Sequence, residues 1–165
     1  MRRWIDKLLG RVPQVDDFDT LVVGPVEVRG VVRALETLED PVDGTRCVAL
    51  DYRAWPPSTT AGVDGAAVVG DRAFQVGSQQ AVEFLLEAGG RSILVRPERG
   101  DDVGARHAAL EAQYGINLRT EIHRVRSGDE VRVRGRVVHV TPLGGDPHRV
   151  DPYRAVVEAE RIRLA

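Results

Sequence analysis

Valine at every second position frames this chain. Val26-Glu27-Val28-Arg29-Gly30-Val31-Val32 near the start and Val131-Arg132-Val133-Arg134-Gly135-Arg136-Val137 near the end share the phrase Val-x-Val-Arg-Gly-x-Val. Alternation with a period of two predicts half-buried strands, and a glycine inside such a strand marks a bulge or a sharp bend. The first strand is expected over residues 22–34. A turn over residues 38–44 follows, signalled by Asp40-Pro41 and Asp43-Gly44, and a second strand over residues 46–55. Pro56-Pro57 stops that strand, and the small polar residues of 56–72 predict a mobile loop. Val82, Phe84 and Leu86 alternate with Glu83 and Glu87, Gly89-Gly90 turns, and Ile93 and Val95 return, which is a hairpin signal. Residues 102–114 switch to a helical period with Val103, His107, Leu110 and Tyr114 on one face. Strand character returns after Glu121, turns at Ser127-Gly128-Asp129 into the second copy of the phrase, and ends in the Arg-Ile-Arg-Leu alternation of 161–164.

Ahead of all this, Trp4, Ile5, Leu8, Leu9 and Val12 fall at helical spacing, with Arg2, Arg3, Lys7 and Arg11 on the other side. Residues 1–20 therefore read as a short basic amphipathic helix and an acidic connector, and residues 21–165 as a single β-rich domain. A helix of that length is marginal alone. It needs its own domain's surface, the plane of an anionic membrane or the groove of a partner to lie against. The whole reads as a mainly β chain of the α+β class: a small curled or OB-like β-barrel or sandwich of about six strands, with one packed helix.

Composition narrows the function classes. The 165 residues carry a net charge of -2, so no global basic excess draws in nucleic acid, and an anionic partner must meet a local patch. Lys7 is the only lysine, and the heavy use of arginine reads as the codon bias of a GC-rich, bacterial-type genome. One cysteine, Cys47, excludes an internal disulfide and a multi-cysteine zinc site. No apolar run approaches the roughly 20 residues that span a bilayer, and no secretory signal is read at the start. The expected place is the cytoplasm, peripheral to a membrane if the N-terminal helix docks there.

Three segments resemble one family. Residues 30–52, with Gly30, Leu38, Pro41, Gly44 and Cys47 in order, are similar to the strand and connector of the GIDE-type or BAM (beside-a-membrane) domain. Phe84 to Pro97, with Gly90 and Val95, resembles that family's hairpin, and Glu121, Gly128-Asp129 and Gly135 resemble its closing element. Some members are mitochondrial ubiquitin ligases, in which this domain sits between transmembrane helices and a cysteine-rich RING finger carries the ligase chemistry. This chain has one cysteine and no RING, so the resemblance implies only the shared non-catalytic β-rich module, a binding or scaffold domain.

Candidate chemistry is sparse. Arg132, Arg134 and Arg136 project to one side of a strand, with Arg124 and Arg126 close before them. The plain reading is a solvated face offset by Asp129 and Glu130. The functional one is recognition of a phosphate, a nucleic-acid backbone or an acidic protein segment by guanidinium forks. An OB-like binder of single strands needs aromatic stacking platforms; aromatics are 5% of the chain and absent from that strand, which disfavours nucleic acid. His107 reads as a packed core histidine, and His139, Asp146 and His148 match no metal-ligand spacing. Cys47 reads as a small buried hydrophobe. No nucleophile, phosphate-loop or metalloprotease motif is present. The expectation is a non-enzymatic interaction module without cofactor or metal. Its partner is a protein met through the basic strand face or the helix of Trp4, Ile5, Leu8 and Leu9, with an anionic membrane surface as a further candidate for that helix. The alternative is an OB-like binder of nucleic acid or another polyanion through Arg132, Arg134 and Arg136.

Overall fold

The computed structural model describes residues 12–61, 67–70, 75–144 and 152–165. The docking helix of Trp4, Ile5, Leu8 and Leu9, and Asp146 and His148, lie outside these. The chain folds as two compact units. One takes the chain up to Glu36, Val82–Glu98 and Arg126–Ala165; the other takes Thr37–Ala81 and Arg99–Val125.

The first unit is a closed barrel. Numbered in chain order, its strands are β2 (Gly24–Ala34), β9 (Phe84–Ala88), β10 (Arg91–Pro97), β12 (Glu130–Val140) and β13 (Ala155–Leu164), with the short β1 (Gln14–Val15) alongside β2. The pairings run β2–β9, β9–β10, β10–β13, β13–β12 and β12–β2, so the sheet returns to its first strand. Only β10–β13 is parallel in this ring. Of the forms the strand pattern predicts, a small curled or OB-like barrel or a sandwich, this closed five-stranded ring is a barrel. Period-two alternation fills it: Val28, Phe84, Leu86, Ile93, Val95, Val131, Val133 and Val157 are fully buried. Phe18 joins them from a single 3-10 turn, Phe18–Thr20, which Asp17 caps through the Asp19 amide. Asp19 in turn receives Arg91 at 3.1 Å and Arg154 at 3.4 Å, tying that turn to the barrel.

The two copies of the valine phrase are neighbours. They pair antiparallel with Val28 opposite Val133 at the centre, Gly30 opposite Val131 and Val26 opposite Gly135. Both glycines point inward, each at a place where a third strand crosses closely. A Cβ on Gly30 would lie 2.6 Å from the Glu87 carbonyl oxygen of β9, and one on Gly135 would fall on the Glu158 carbonyl of β13. Gly135 also sits at a register shift in the β12–β13 ladder, where Glu160 is the extra residue. The predicted bend is thus a close crossing at one glycine and a bulge at the other.

The second unit centres on β5 (Ala49–Trp55), flanked antiparallel by β11 (Arg119–Val125) and β8 (Val76–Ala81). Its buried cluster is Cys47, Leu50, Tyr52, Ala54 and Val103, with Leu110 and Ile122 packed on it. Val103 and Leu110 bring in α1 (Val103–Tyr114), whose predicted apolar face is the one buried. Asp102 caps that helix by accepting from the Ala105 amide at 2.9 Å. The turn-rich connector is a small hairpin of β3 (Leu38–Glu39) and β4 (Arg46–Cys47). The expected second strand breaks between β4 and β5, where the Val48 amide donates to the Val125 carbonyl at 2.7 Å. The expected mobile loop over 56–72 is a correction: β6 (Ser58–Ala61) and β7 (Ala67–Gly70) pair there as an antiparallel ladder.

Candidate functional site

The barrel's chemistry is guanidinium chemistry. Along β12, Val131, Val133 and Val137 point inward, which leaves Arg132, Arg134 and Arg136 on the outer face. Closure of the ring adds residues to that row. Arg132 lies between Arg29 of β2 and Arg163 of β13, Arg134 between Glu27 and Arg161, and Arg136 between Pro25 and Glu158. Five arginines, Arg132, Arg134, Arg136, Arg161 and Arg163, therefore share the outer surface of two adjacent strands.

What separates them from the unit's other described arginines is that they have no carboxylate partner among the described residues. Arg29 holds Glu130 through both nitrogens at 2.8 and 3.0 Å, Arg33 holds Glu87, Arg96 holds Glu83, and Arg91 and Arg154 share Asp19. None of the five makes an ion pair with a described residue. The fork between Arg29 and Glu130 raises the guanidinium's pKa and lowers the carboxylate's, chiefly through the shared hydrogen bonds. Glu130 is thereby claimed by Arg29 and does not close on Arg132, its neighbour on β12.

Two expected members of the face are already engaged. Arg124 belongs to the other unit, where its Nε lies 3.2 Å from Asp40 and its Nη1 2.7 Å from Asp43. Arg126 leans on Asp129 at 3.8 Å. In their place the structure supplies Arg161 and Arg163. Their alternation with Ile162 and Leu164 was visible along the sequence, but the strand beside them was not.

A surface cavity of about 580 Å³ opens at the edge of this face, lined in part by Pro97, Arg136, Glu158, Ala159 and Glu160. It lies where β10 and β13 part: the last parallel pair is Pro97 with Ala159.

The remaining candidates have structural partners. The Tyr52 hydroxyl and His107 Nδ1 are 3.0 Å apart inside the second unit, and burial raises the Tyr52 pKa. His123 pairs with Glu121 at 2.7 Å, and His139 is exposed. Burial, then the Asp40 charge, push the Cys47 thiol up to about 11, so it is protonated at neutral pH and a poor nucleophile. Among the described residues no three His, Cys, Asp or Glu side chains gather as metal ligands, and no helix is long and apolar enough to cross a membrane. Compared with protein-family models and with curated proteins, the chain finds no match.

Proposed function

We propose that this chain is a non-enzymatic interaction module that holds an acidic segment of a protein partner on the outer face of β12 and β13. One observation carries the reading: the barrel unit's arginines that form no ion pair with a described residue concentrate on those two strands, while its other described arginines are matched by carboxylates. An unpaired guanidinium fork is preorganised for a carboxylate, and several along one sheet surface fit an extended anionic chain. The resemblance to the GIDE or BAM module, a non-catalytic domain, points the same way.

A protein partner is favoured over a nucleic acid by what else lies there. Single-strand binders stack bases on aromatic rings beside the basic groove. Among the described residues β12 and β13 carry no Phe, Tyr or Trp, and Phe18, Tyr52 and Phe84 are buried.

The test is fluorescence anisotropy with a labelled oligo-glutamate peptide and, in parallel, a labelled oligo-dT of equal charge. Peptide binding is expected to weaken steeply with salt and to fall at least ten-fold in Arg132→Glu plus Arg134→Glu. Unchanged affinity in that variant removes the face from consideration, and tighter binding of the oligo-dT replaces the protein reading with the nucleic-acid one.

A further inference from the structure

The barrel's ring closes fully around its centre but not along the whole length of β13. Residues Val156 to Ala159 are paired on both sides, with β10 and with β12. Beyond Ala159 only β12 pairs with β13 among the described residues. Pro97 ends the parallel ladder because it has no N–H to donate, and β10 stops there. Arg161 to Leu164 thus present a second edge on which no described residue pairs.

The direction of the free groups follows from the ladder. In an antiparallel pair, residues that exchange hydrogen bonds alternate with residues that do not. The Ala165 amide donates to the Glu130 carbonyl at 2.9 Å, which fixes the phase. Arg163 with Arg132 and Arg161 with Arg134 are then the bonded pairs, and the N–H and C=O of Ile162 and Leu164 point away from β12, to the open edge. On the β2 side, the Val32 amide donates to the Asp129 carbonyl at 2.9 Å, which gives β12 the same phase independently.

The side chains along this edge are two-faced. Arg161 and Arg163 belong to the outer basic row. Ile162 and Leu164 lie opposite the fully buried Val133 and Val131, so they continue the barrel's inner layer, yet Ile162 is only partly covered and Leu164 is 58% exposed. An apolar row that meets solvent beside unpaired backbone groups is a template for one more strand.

We infer that the open half of β13 is a strand-addition site for an extended peptide in which acidic and apolar residues alternate. The acidic side chains lie over Arg161 and Arg163, the apolar ones cover Ile162 and Leu164, and the peptide's main chain pairs with the free groups of those two residues. The cavity bordered by Pro97 and Glu160 gives the peptide room where β10 leaves. This rests on the acidic-partner reading of the basic face and names how that partner is held: by its backbone as well as by its charge.

The experiment uses the full chain and two probes, a labelled Asp-Val-Asp-Val-Asp-Val peptide and the same peptide methylated at every backbone nitrogen. Both keep the charges; only the first can donate from its main chain. Unmodified peptide is expected to slow amide hydrogen exchange at Ile162 and Leu164, and the methylated one to bind at least ten-fold more weakly. Equal affinities would overturn strand addition and leave the basic face standing. Binding by neither peptide would overturn both, whereas protection of Ile162 and Leu164 that ignores salt would retain strand addition and remove the charge reading.

Discussion

At the scale of single residues, the barrel depends on two missing side chains. Gly30 and Gly135 are not at positive φ; what they lack is room, because the neighbouring strands β9 and β13 bring the Glu87 and Glu158 carbonyls up against their Cβ positions. Gly135→Ala is expected to destabilise by about 2–4 kcal/mol, since the obstruction is the Glu158 backbone and cannot rotate away, and Gly30→Ala by about 1–3 kcal/mol. Gly77→Ala, with open space around its Cβ position, is the control. Urea melts that place all three together would refute the close-crossing account. Asp43 makes a second residue-scale prediction. Hydrogen bonds from Thr45 first, and then from Arg124, hold its pKa down to about 2 from 3.8. A folded-state pKa below the unfolded one contributes stability at pH values above 3.8 and loses it as the pH falls toward 2. Asp43→Asn is therefore expected to flatten the dependence of the urea midpoint on pH in that window and to leave its slope above pH 5 unchanged.

At the scale of elements, the sequence was most legible where local chemistry and tertiary packing agree. The β9–β10 hairpin carries its turn in Gly89-Gly90, both at positive φ, and its alternation in Phe84, Leu86, Ile93 and Val95. The helix was legible from the spacing of Val103, His107, Leu110 and Tyr114, while its Asp102 cap emerged only in the structure. Asp102→Ala is expected to cost about 1 kcal/mol and to speed exchange in the first turn of α1, as the Ala105 amide loses its acceptor; unaltered exchange there would show that the cap contributes nothing. Legibility fails where an element exists only through its neighbour. The β6–β7 ladder lies among alanines and glycines that signal a loop, although Thr59, Thr60, Val68 and Val69 are strand formers. The break between β4 and β5 comes from the bond of Val48 to Val125, 77 positions away in the chain. Likewise Arg132, Arg134 and Arg136 could be placed on one face from spacing alone, whereas Arg161 and Arg163 join them only because the ring closes in that register.

At the scale of the whole molecule, a net charge of -2 conceals how charge is partitioned. The basic face exists because acids are allotted elsewhere, and Glu130 is the acid on which this turns. It stands beside Arg132 on β12 but is gripped by both nitrogens of Arg29. Remove that grip and Glu130 becomes a free carboxylate at the margin of the face, within the field of Arg132, which already lowers its pKa. Arg29→Ala is therefore expected to weaken binding of an acidic peptide by roughly two- to five-fold, the scale of an exposed ion pair, although Arg29 is not one of the five unpaired arginines. Arg29→Ala with Glu130→Ala should restore the affinity, since the competitor leaves with its captor. The same loss in the single and double variants would mean that Arg29 touches the ligand directly. Full affinity in the single variant would mean that Glu130 does not compete, and that the face owes its charge to its own arginines alone. Because solution ions screen such a margin over about 8 Å at physiological salt, the difference between the two variants should shrink as salt rises. The loss from Arg132→Glu plus Arg134→Glu, which removes the forks themselves and puts repelling carboxylates in their place, should outlast it.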